Sequence, residues 1–171
     1  MRPEFIGFQA KLEVIKMDVY EKLKELGIEL LPVAPATGAY ATAVPFGENL
    51  MYFSGAGPRL VDGAFEYIGK VGADLDEATA YLAARSVGIT MLSNLHAMLG
   101  DLNRVTKIVK VTGFVNAVPE FGNQPKVVNG FSELMLSVFG QEIGAHSRSA
   151  IGVGSLPAGI PVEVEMLVEY K

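Results

Sequence analysis

Two runs near the C-terminus predict strands and decide the fold class: Arg148-Ser149-Ala150-Ile151-Gly152-Val153 and Val162-Glu163-Val164-Glu165-Met166. The turn Leu156-Pro157-Ala158-Gly159 joins them. Successive side chains of a strand point to opposite faces, so the second run presents valine and methionine on one face and glutamate on the other. The sheet therefore carries both a permanent positive charge and a row of carboxylates. A cross-strand ion pair on a solvated face would explain this pattern, and so would a carboxylate-binding arginine beside an acid/base glutamate.

The rest of the chain predicts further strands and helices. Apolar residues at helical spacing predict a short helix over 18–26, a longer one that Asp74 opens and Gly100 closes, and another that begins after Pro125 and ends at Gly140. Runs rich in β-branched and aromatic residues predict strands over 40–44, 50–54, 64–68 and 105–117, the first three forming a β-meander. Behind the small first helix, the order β-β-β-α-β-α-β-β predicts an α+β two-layer domain with two helices on one face of a single sheet.

Composition and charge narrow the possible functions. At 171 residues the chain fits one domain, which we place at 17–171, and residues 1–16 are interpreted as an N-terminal extension or a cloning remnant. Half of the residues are hydrophobic, which predicts apolar surface that meets other subunits. The net charge of -5 disfavours nucleic acid as a partner because phosphates repel an acidic surface.

Several other kinds of site and location are disfavoured by the residue types. The chain has no cysteine, and its two histidines, His96 and His146, are far apart, which argues against a metal site. We interpret His96 as a packing or helix-capping residue and His146 as an ordinary polar residue at a strand entry, on the same strand face as Arg148. The sequence contains neither a membrane span nor a signal peptide pattern, so a cytoplasmic protein without membrane contact is expected.

Four short motifs occur in the same order as in a known protein family. They are Thr37-Gly38-Ala39-Tyr40, Tyr52-Phe53-Ser54-Gly55, Val128-Asn129-Gly130, and Arg148-Ser149 followed by Glu163, fifteen residues after the arginine. With these motifs the chain resembles the reactive intermediate deaminase family (Rid, also called YjgF), whose domain is also labelled endoribonuclease L-PSP. The resemblance covers about residues 35–170 and includes the predicted order of strands and helices.

The resemblance implies a fold, an assembly and an activity. The fold would be chorismate-mutase-like, and three copies would form a homotrimer with a central barrel of sheets and with active sites in clefts between subunits. The activity would be hydrolysis of 2-imino or 2-aminoacrylate-type intermediates to 2-keto acids and ammonia, without a cofactor or a metal. Residue by residue, the resemblance implies catalytic and binding roles for Arg148, a catalytic role for Glu163, and substrate binding by Tyr40, Asn129, Ser54, Gly55 and Ala150.

The residue types agree with this chemistry. The planar guanidinium of Arg148 suits a bidentate grip on a substrate carboxylate. Glu163 could activate a water molecule and return a proton to the leaving ammonia. Burial would raise the pKa of Glu163 and a nearby arginine would lower it, and the sequence does not decide which of these two effects is larger. One departure concerns Ala150, since deaminase members commonly carry cysteine there.

Two alternative functions remain. The chain could be a non-catalytic trimer that uses Arg148 to bind 2-keto acids or amino acids as a sensor or regulator. It could also be a ribonuclease, as the family's other label suggests, although the acidic charge and the absence of a basic patch conflict with this. Only the deaminase hypothesis predicts release of ammonia.

Overall fold

The computed structural model describes residues 18–33 and 38–171. The helices are α1 (Val19–Glu25), α2 (Glu77–Leu99) and α3 (Gln124–Gly144). The strands are β1 (Ala43–Phe46), β2 (Leu50–Ala56), β3 (Leu60–Val61), β4 (Ala64–Phe65), β5 (Val105–Asn116), β6 (Ser147–Val153) and β7 (Val162–Tyr170). Residues 1–16, predicted to be an extension, lie outside the described residues, as does Thr37 of the first family motif.

Strands β1, β2, β7, β5 and β6 form one mixed sheet in that order. All neighbours are antiparallel except β5 and β6, which are parallel and are connected through α3. The long helices α2 and α3 pack against the same face of this sheet. The predicted α+β two-layer domain is therefore confirmed.

The hydrophobic core lies between α2, α3 and the face of the sheet that they cover. Alternate residues of the two central strands point toward α2 and α3 and are fully or almost fully buried: Val111, Val115, Val162, Val164, Met166 and Val168. The intervening residues, including the glutamates of β7, point to the opposite face, which we call the open face. The predicted alternation of β7 is therefore confirmed.

The predicted β-meander is wrong in its third strand. The segment 64–68 contains only the two-residue strand β4, which pairs with β3 in a separate hairpin across Asp62 and Gly63. Both of these turn residues have positive φ, 52° and 82°, which matches the tight two-residue turn that such a hairpin needs. Instead, β2 pairs with β7, and the first strand begins at Ala43 rather than at residue 40.

The two long helices begin and end close to their predicted limits. The N-cap of α2 is Asp76 rather than Asp74, because the Asp76 carboxylate accepts from the Thr79 amide at 2.7 Å. Asp74 instead accepts from the Lys70 amide at 2.8 Å in the preceding turn. Gly100 ends α2 in the left-handed region, and Gly140, with φ 75° and ψ 174°, interrupts α3 at the predicted end.

His96 has the predicted packing role. The Tyr20 hydroxyl lies 2.8 Å from His96 Nδ1 and accepts from the Leu102 amide at 3.0 Å, and the two rings pack edge to face. These contacts attach the short helix α1 to the C-terminal end of α2.

Candidate functional site

Arg148 lies on the helix-facing side of the edge strand β6. The residue pairs in register with the buried Val111, so both side chains point toward α3. Its Nη1 donates to Asn129 Oδ1 at 2.9 Å and to Ser132 Oγ at 3.0 Å, and its Nη2 donates to the Pro125 carbonyl at 3.2 Å. The three acceptors are four and then three residues apart on α3, and therefore lie along one helix face.

The charge of Arg148 is not neutralised by a carboxylate among the described residues, whose ion pairs all lie elsewhere. Burial lowers the pKa of Arg148, and the charge of Glu133 raises it, but a guanidinium stays protonated at any physiological pH. Among the described residues three of its five N–H bonds have acceptors, which leaves donors on Nε and Nη2. A positive, forked donor pair is therefore available for an anion.

Glu163 lies on the open face of β7. Its neighbours in the strand, Val162 and Val164, are fully buried on the opposite face. The Glu163 carboxylate rests against Gly55 of β2, where a Cβ atom would overlap Oε1. The β2–β7 register shifts between Phe53 and Ala56, so Ser54 and Gly55 form a bulge beside this carboxylate.

The surroundings of Glu163 shift its pKa upward from the ordinary value. Burial raises this pKa, and the charge of the nearby Glu165 raises it further. Among the described residues no hydrogen-bond donor stabilises the ionised form, and Arg148 is not a cause of the shift. Of the two influences expected from the sequence, burial therefore prevails within one chain.

Tyr40, Ser54 and Gly55 line a cavity of about 430 Å³ at the other edge of the sheet. Thr90 and Asn94 of α2 line the same cavity. Tyr40 is 60% exposed, whereas the Ser54 hydroxyl donates to the Ala41 carbonyl at 2.7 Å. The Tyr40 ring is thus free to contact a molecule in or beside this cavity.

The seven predicted site residues fall into two separate groups. Arg148, Asn129 and Ala150 lie together at the helix-facing side of the β6 edge, Ala150 pairing in register with Gly113. The second group contains Tyr40, Ser54 and Gly55, which line the cavity, and Glu163, which contacts Gly55 but does not line the cavity. Strand β5 separates β6 from β7, so the suggested cross-strand ion pair is wrong.

Two residues beside Arg148 were not predicted to take part in the site. Ser132 is buried and contacts Arg148 directly. His146 Nε2 lies 3.0 Å from Ser132 Oγ, and His146 Nδ1 lies 2.7 Å from the Gly144 carbonyl oxygen. Ser132 lies three residues after Asn129 and therefore on the same helix face, so this spacing could have predicted that Ser132 belongs to the site.

Comparison with known proteins identifies the family. A family model described as "YjgF/chorismate mutase-like, putative endoribonuclease" matches residues 21–168. The chain belongs to this family. The resemblance inferred from the four motifs is therefore confirmed, together with the chorismate-mutase-like fold.

Similar proteins occur in distant organisms. Protein TCP17 of Trypanosoma cruzi is 44% identical over 90% of this chain and 94% of its own length. The structure of Atu1372 from Agrobacterium tumefaciens is 40% identical, with a TM-score of 0.81, over 90% of this chain and 92% of its own. A "putative endoribonuclease" from Shewanella oneidensis MR-1 is 29% identical, with a TM-score of 0.84, over 90% and 99% of the two chains. Family membership thus extends across nearly the whole chain.

Neither a cluster of metal ligands nor a membrane-spanning helix occurs in the part of the chain that the structure describes. Within 18–33 and 38–171, no group of three or more histidine, cysteine, aspartate or glutamate side chains could hold a metal ion. In the same ranges no helix combines the length and the apolar character needed to cross a bilayer.

Proposed function

We propose that this protein hydrolyses 2-imino acids and 2-aminoacrylate-type enamines to 2-keto acids and ammonia. The observation that carries the proposal is the guanidinium of Arg148, which neutral oxygens hold in place and no described carboxylate neutralises. A fixed, unpaired guanidinium with two free donors matches the two oxygens of a substrate carboxylate. Arg148 would thus bind the α-carboxylate of the substrate, and the C=N bond next to it is the part of the proposal that rests on the family's implied activity.

Glu163 would move the protons of this reaction. An enamine first becomes an imine by moving a proton from its nitrogen to its terminal carbon. The Glu163 carboxylate takes a proton from water as the water oxygen bonds to the imine carbon, and it passes this proton to the nitrogen as the C=N double bond becomes single. Glu163 then takes the proton of the new hydroxyl group and gives it to the same nitrogen, as the C–N bond breaks, the C=O bond forms and ammonia leaves. The raised pKa of Glu163 supports this role, because proton transfer is most efficient when the pKa of the base lies near the working pH.

The assembly would be a trimer whose sites lie between subunits. Arg148 and Glu163 are on opposite faces of one sheet, so a second copy has to supply the missing half of the site. The open face supports such a contact because it leaves four apolar side chains substantially exposed: Val44, Phe46, Tyr52 and Ile151. Glu163 lies on this same face, beside the surface that a neighbouring copy would cover.

The first test measures ammonia and 2-keto acid release from freshly generated 2-aminoacrylate and from bulkier imines. Wild-type turnover above buffer is expected to disappear in Arg148→Ala. Arg148→Lys keeps the charge but loses the fork, so its KM should rise more than its kcat falls. The absence of turnover with every imine would overturn the deaminase proposal.

A second candidate, carboxylate binding without turnover, is favoured by one observation. Ala150 lies on the same strand face as Arg148, at the position where deaminase members commonly carry cysteine. If the thiol is needed for chemistry, this chain would bind 2-keto acids without acting on imines. The expected result would then be an Arg148-dependent rise in melting temperature with a 2-keto acid and no release of ammonia.

A further inference from the structure

Beside Arg148, the buried Ser132 and the partly buried His146 form a hydrogen-bonded chain that ends at the Gly144 carbonyl. We propose that Ser132 and His146 are positioning residues that hold the Arg148 guanidinium in its carboxylate-binding orientation. The inference rests on the proposed function only in assigning carboxylate binding to Arg148. The orientation itself follows from contacts within the chain.

The directions of these hydrogen bonds follow from the groups involved. The Gly144 carbonyl oxygen can only accept, so His146 Nδ1, 2.7 Å away, carries the ring proton. Nε2 of the neutral ring is then an acceptor, and the Ser132 hydroxyl donates a hydrogen bond to it at 3.0 Å. The hydroxyl oxygen keeps its lone pairs for Arg148 Nη1–H, also at 3.0 Å. Every group from Gly144 to Arg148 in this series of hydrogen bonds therefore donates or accepts as its chemistry allows.

Burial favours the neutral His146 ring that this series of hydrogen bonds requires. Burial lowers the pKa of His146, and the charges of Arg148 and Lys107 lower it further, while the hydrogen bond to Gly144 acts in the opposite direction. The balance favours an unprotonated Nε2. His146 is therefore available as an acceptor at neutral pH.

Two other serines show what Ser132 does differently. The hydroxyl groups of Ser93 and Ser137 each donate to the backbone carbonyl four residues earlier in their helix, at 2.9 and 2.7 Å. This local bond is the usual choice of a serine inside a helix. Ser132 instead points its hydroxyl at His146, which leaves its lone pairs directed toward Arg148. Without His146, Ser132 is expected to turn back to its own helix.

The guanidinium needs this support because its charge has little else to orient it. Asn129 and Pro125 supply the other two acceptors, and no described carboxylate bonds to Arg148. Loss of the Ser132 contact leaves Nη1 with one acceptor, so the planar fork can rotate away from the orientation that grips two oxygens. The predicted defect is weaker binding of the carboxylate rather than slower chemistry.

Four variants separate positioning from general damage. Ser132→Ala removes the contact, and Ser137→Ala removes an exposed hydroxyl from the same helix as a control. His146→Asn keeps a donor near Nδ1 but loses the acceptor near Nε2, whereas His146→Gln places an amide oxygen near Nε2. The asparagine variant should therefore resemble Ser132→Ala, and the glutamine variant should resemble wild type.

The probe is 2-oxobutanoate, a keto acid product, with its affinity measured by calorimetry and imine turnover measured in parallel. One lost hydrogen bond corresponds to a rise of about three- to tenfold in Kd and KM, with kcat within about twofold of wild type. Ser132→Ala and His146→Asn should show this rise. Ser137→Ala and His146→Gln should stay within about twofold of wild type in every constant.

A readout that needs no ligand keeps the inference separate from the proposed function. The NMR signals of the Arg148 Nη groups should show slow rotation in wild type and His146→Gln, and faster rotation in Ser132→Ala and His146→Asn. If the wild type neither binds 2-oxobutanoate nor turns over imines, the proposed function fails, and these signals alone decide the positioning role. Wild-type signals in Ser132→Ala, or equal damage in His146→Gln and His146→Asn, would overturn it.

Discussion

Arg148 and Glu163 lie on opposite faces of one sheet, with strand β5 between their strands. Arg148 pairs with Val111 of β5 and points to α3, whereas Glu163 pairs with Phe114 of β5 and points to the open face. Neighbouring strands are about 4.8 Å apart, and the two residues are also offset along the strand direction. One subunit therefore cannot bring both groups to a single small imine, and the proposed reaction requires two copies of the chain.

The first prediction is that two inactive variants restore each other. Arg148→Ala and Glu163→Gln should each abolish imine turnover alone. In a mixed trimer, the interface where an Arg148→Ala chain supplies Glu163 and a Glu163→Gln chain supplies Arg148 has an intact site. About one site in three should therefore be active in each mixed trimer. Ammonia release after co-expression and purification of mixed oligomers measures this.

The control for this experiment pairs Arg148→Ala with a chain that carries both substitutions. No interface of that mixture contains an intact Arg148, so no activity should return. Recovery in this control would mean that turnover does not require Arg148. No recovery in the first mixture, despite proven mixing, would mean that both groups act from one subunit.

The second prediction concerns the pH dependence of catalysis. Glu163 must be ionised to act as a base, so kcat/KM should rise with pH through its folded-state pKa, which burial and then Glu165 hold above the ordinary value of 4.5. Glu165→Gln removes the like charge and should move this rise to lower pH. Glu169→Gln, further along β7, is the control because Glu169 is not a cause of the shift. An unchanged profile in Glu165→Gln would contradict the assignment of the rise to Glu163.

The third prediction concerns stability. Because the folded-state pKa of Glu163 is raised, the folded protein holds this proton more tightly than the unfolded chain does. Wild-type stability should therefore fall as pH rises from the unfolded-state pKa through the folded-state pKa, and Glu163→Gln should avoid this loss. Melting temperatures should favour Glu163→Gln at neutral pH and converge below about pH 4. If Glu163→Gln were less stable than wild type at neutral pH, ionised Glu163 would not destabilise the fold and the prediction would be wrong.

The fourth prediction concerns the contact between Gly55 and Glu163. A Cβ atom at Gly55 would overlap Oε1 of Glu163, so Gly55→Ala should displace the carboxylate. Since misplacement of a catalytic group by about 1 Å can cost a factor of about one hundred, kcat should fall by at least about tenfold. Gly122→Ala is the control because its added Cβ meets nothing within 4 Å. Full activity in Gly55→Ala would show that the position of this carboxylate is not critical.

The sequence predicted local structure better than strand neighbours. Period-two alternation correctly assigned the faces of β7, Gly100 located the end of α2, and Gly140 located the interruption of α3 four residues before its end. The pairing of β7 with β2 joins residues more than one hundred positions apart, which alternation does not encode. For this reason the sequence left open a cross-strand ion pair between β6 and β7, which the order of strands within one chain excludes.

The same limit applied to the start of α2 and to the contacts around Arg148. Asp74 and Asp76 both suit a helix N-cap, and the competing bond from the Lys70 amide to Asp74 became visible only in three dimensions. Ser132 and His146 are fourteen residues apart, on either side of the bend between α3 and β6. Their hydrogen bond depends on the angle of this bend, which no spacing rule predicts.

The last prediction concerns the ion pair that holds the β3–β4 hairpin against α2. Arg59 donates from Nε and Nη2 to both carboxylate oxygens of Glu66, at 3.1 and 2.7 Å, and the Ser86 hydroxyl of α2 donates to the same carboxylate at 2.6 Å. Glu66→Gln should lower the free energy of unfolding by about 1–2 kcal/mol, because charge-assisted bonds with limited exposure are lost. Glu25→Gln removes the exposed ion pair with Lys22 and should cost about 0–0.5 kcal/mol.

The pH dependence of this ion pair distinguishes it from simple packing. The hydrogen bond from Arg59 lowers the pKa of Glu66, and the Ser86 hydroxyl acts in the same direction against burial. The stabilisation is therefore complete above the ordinary pKa of 4.5 and is lost as pH falls through the lower folded-state pKa. Denaturant unfolding should show the wild type approaching Glu66→Gln in stability on acidification. A gap that stays constant down to pH 3 would mean that the glutamine variant disturbs packing rather than an ion pair.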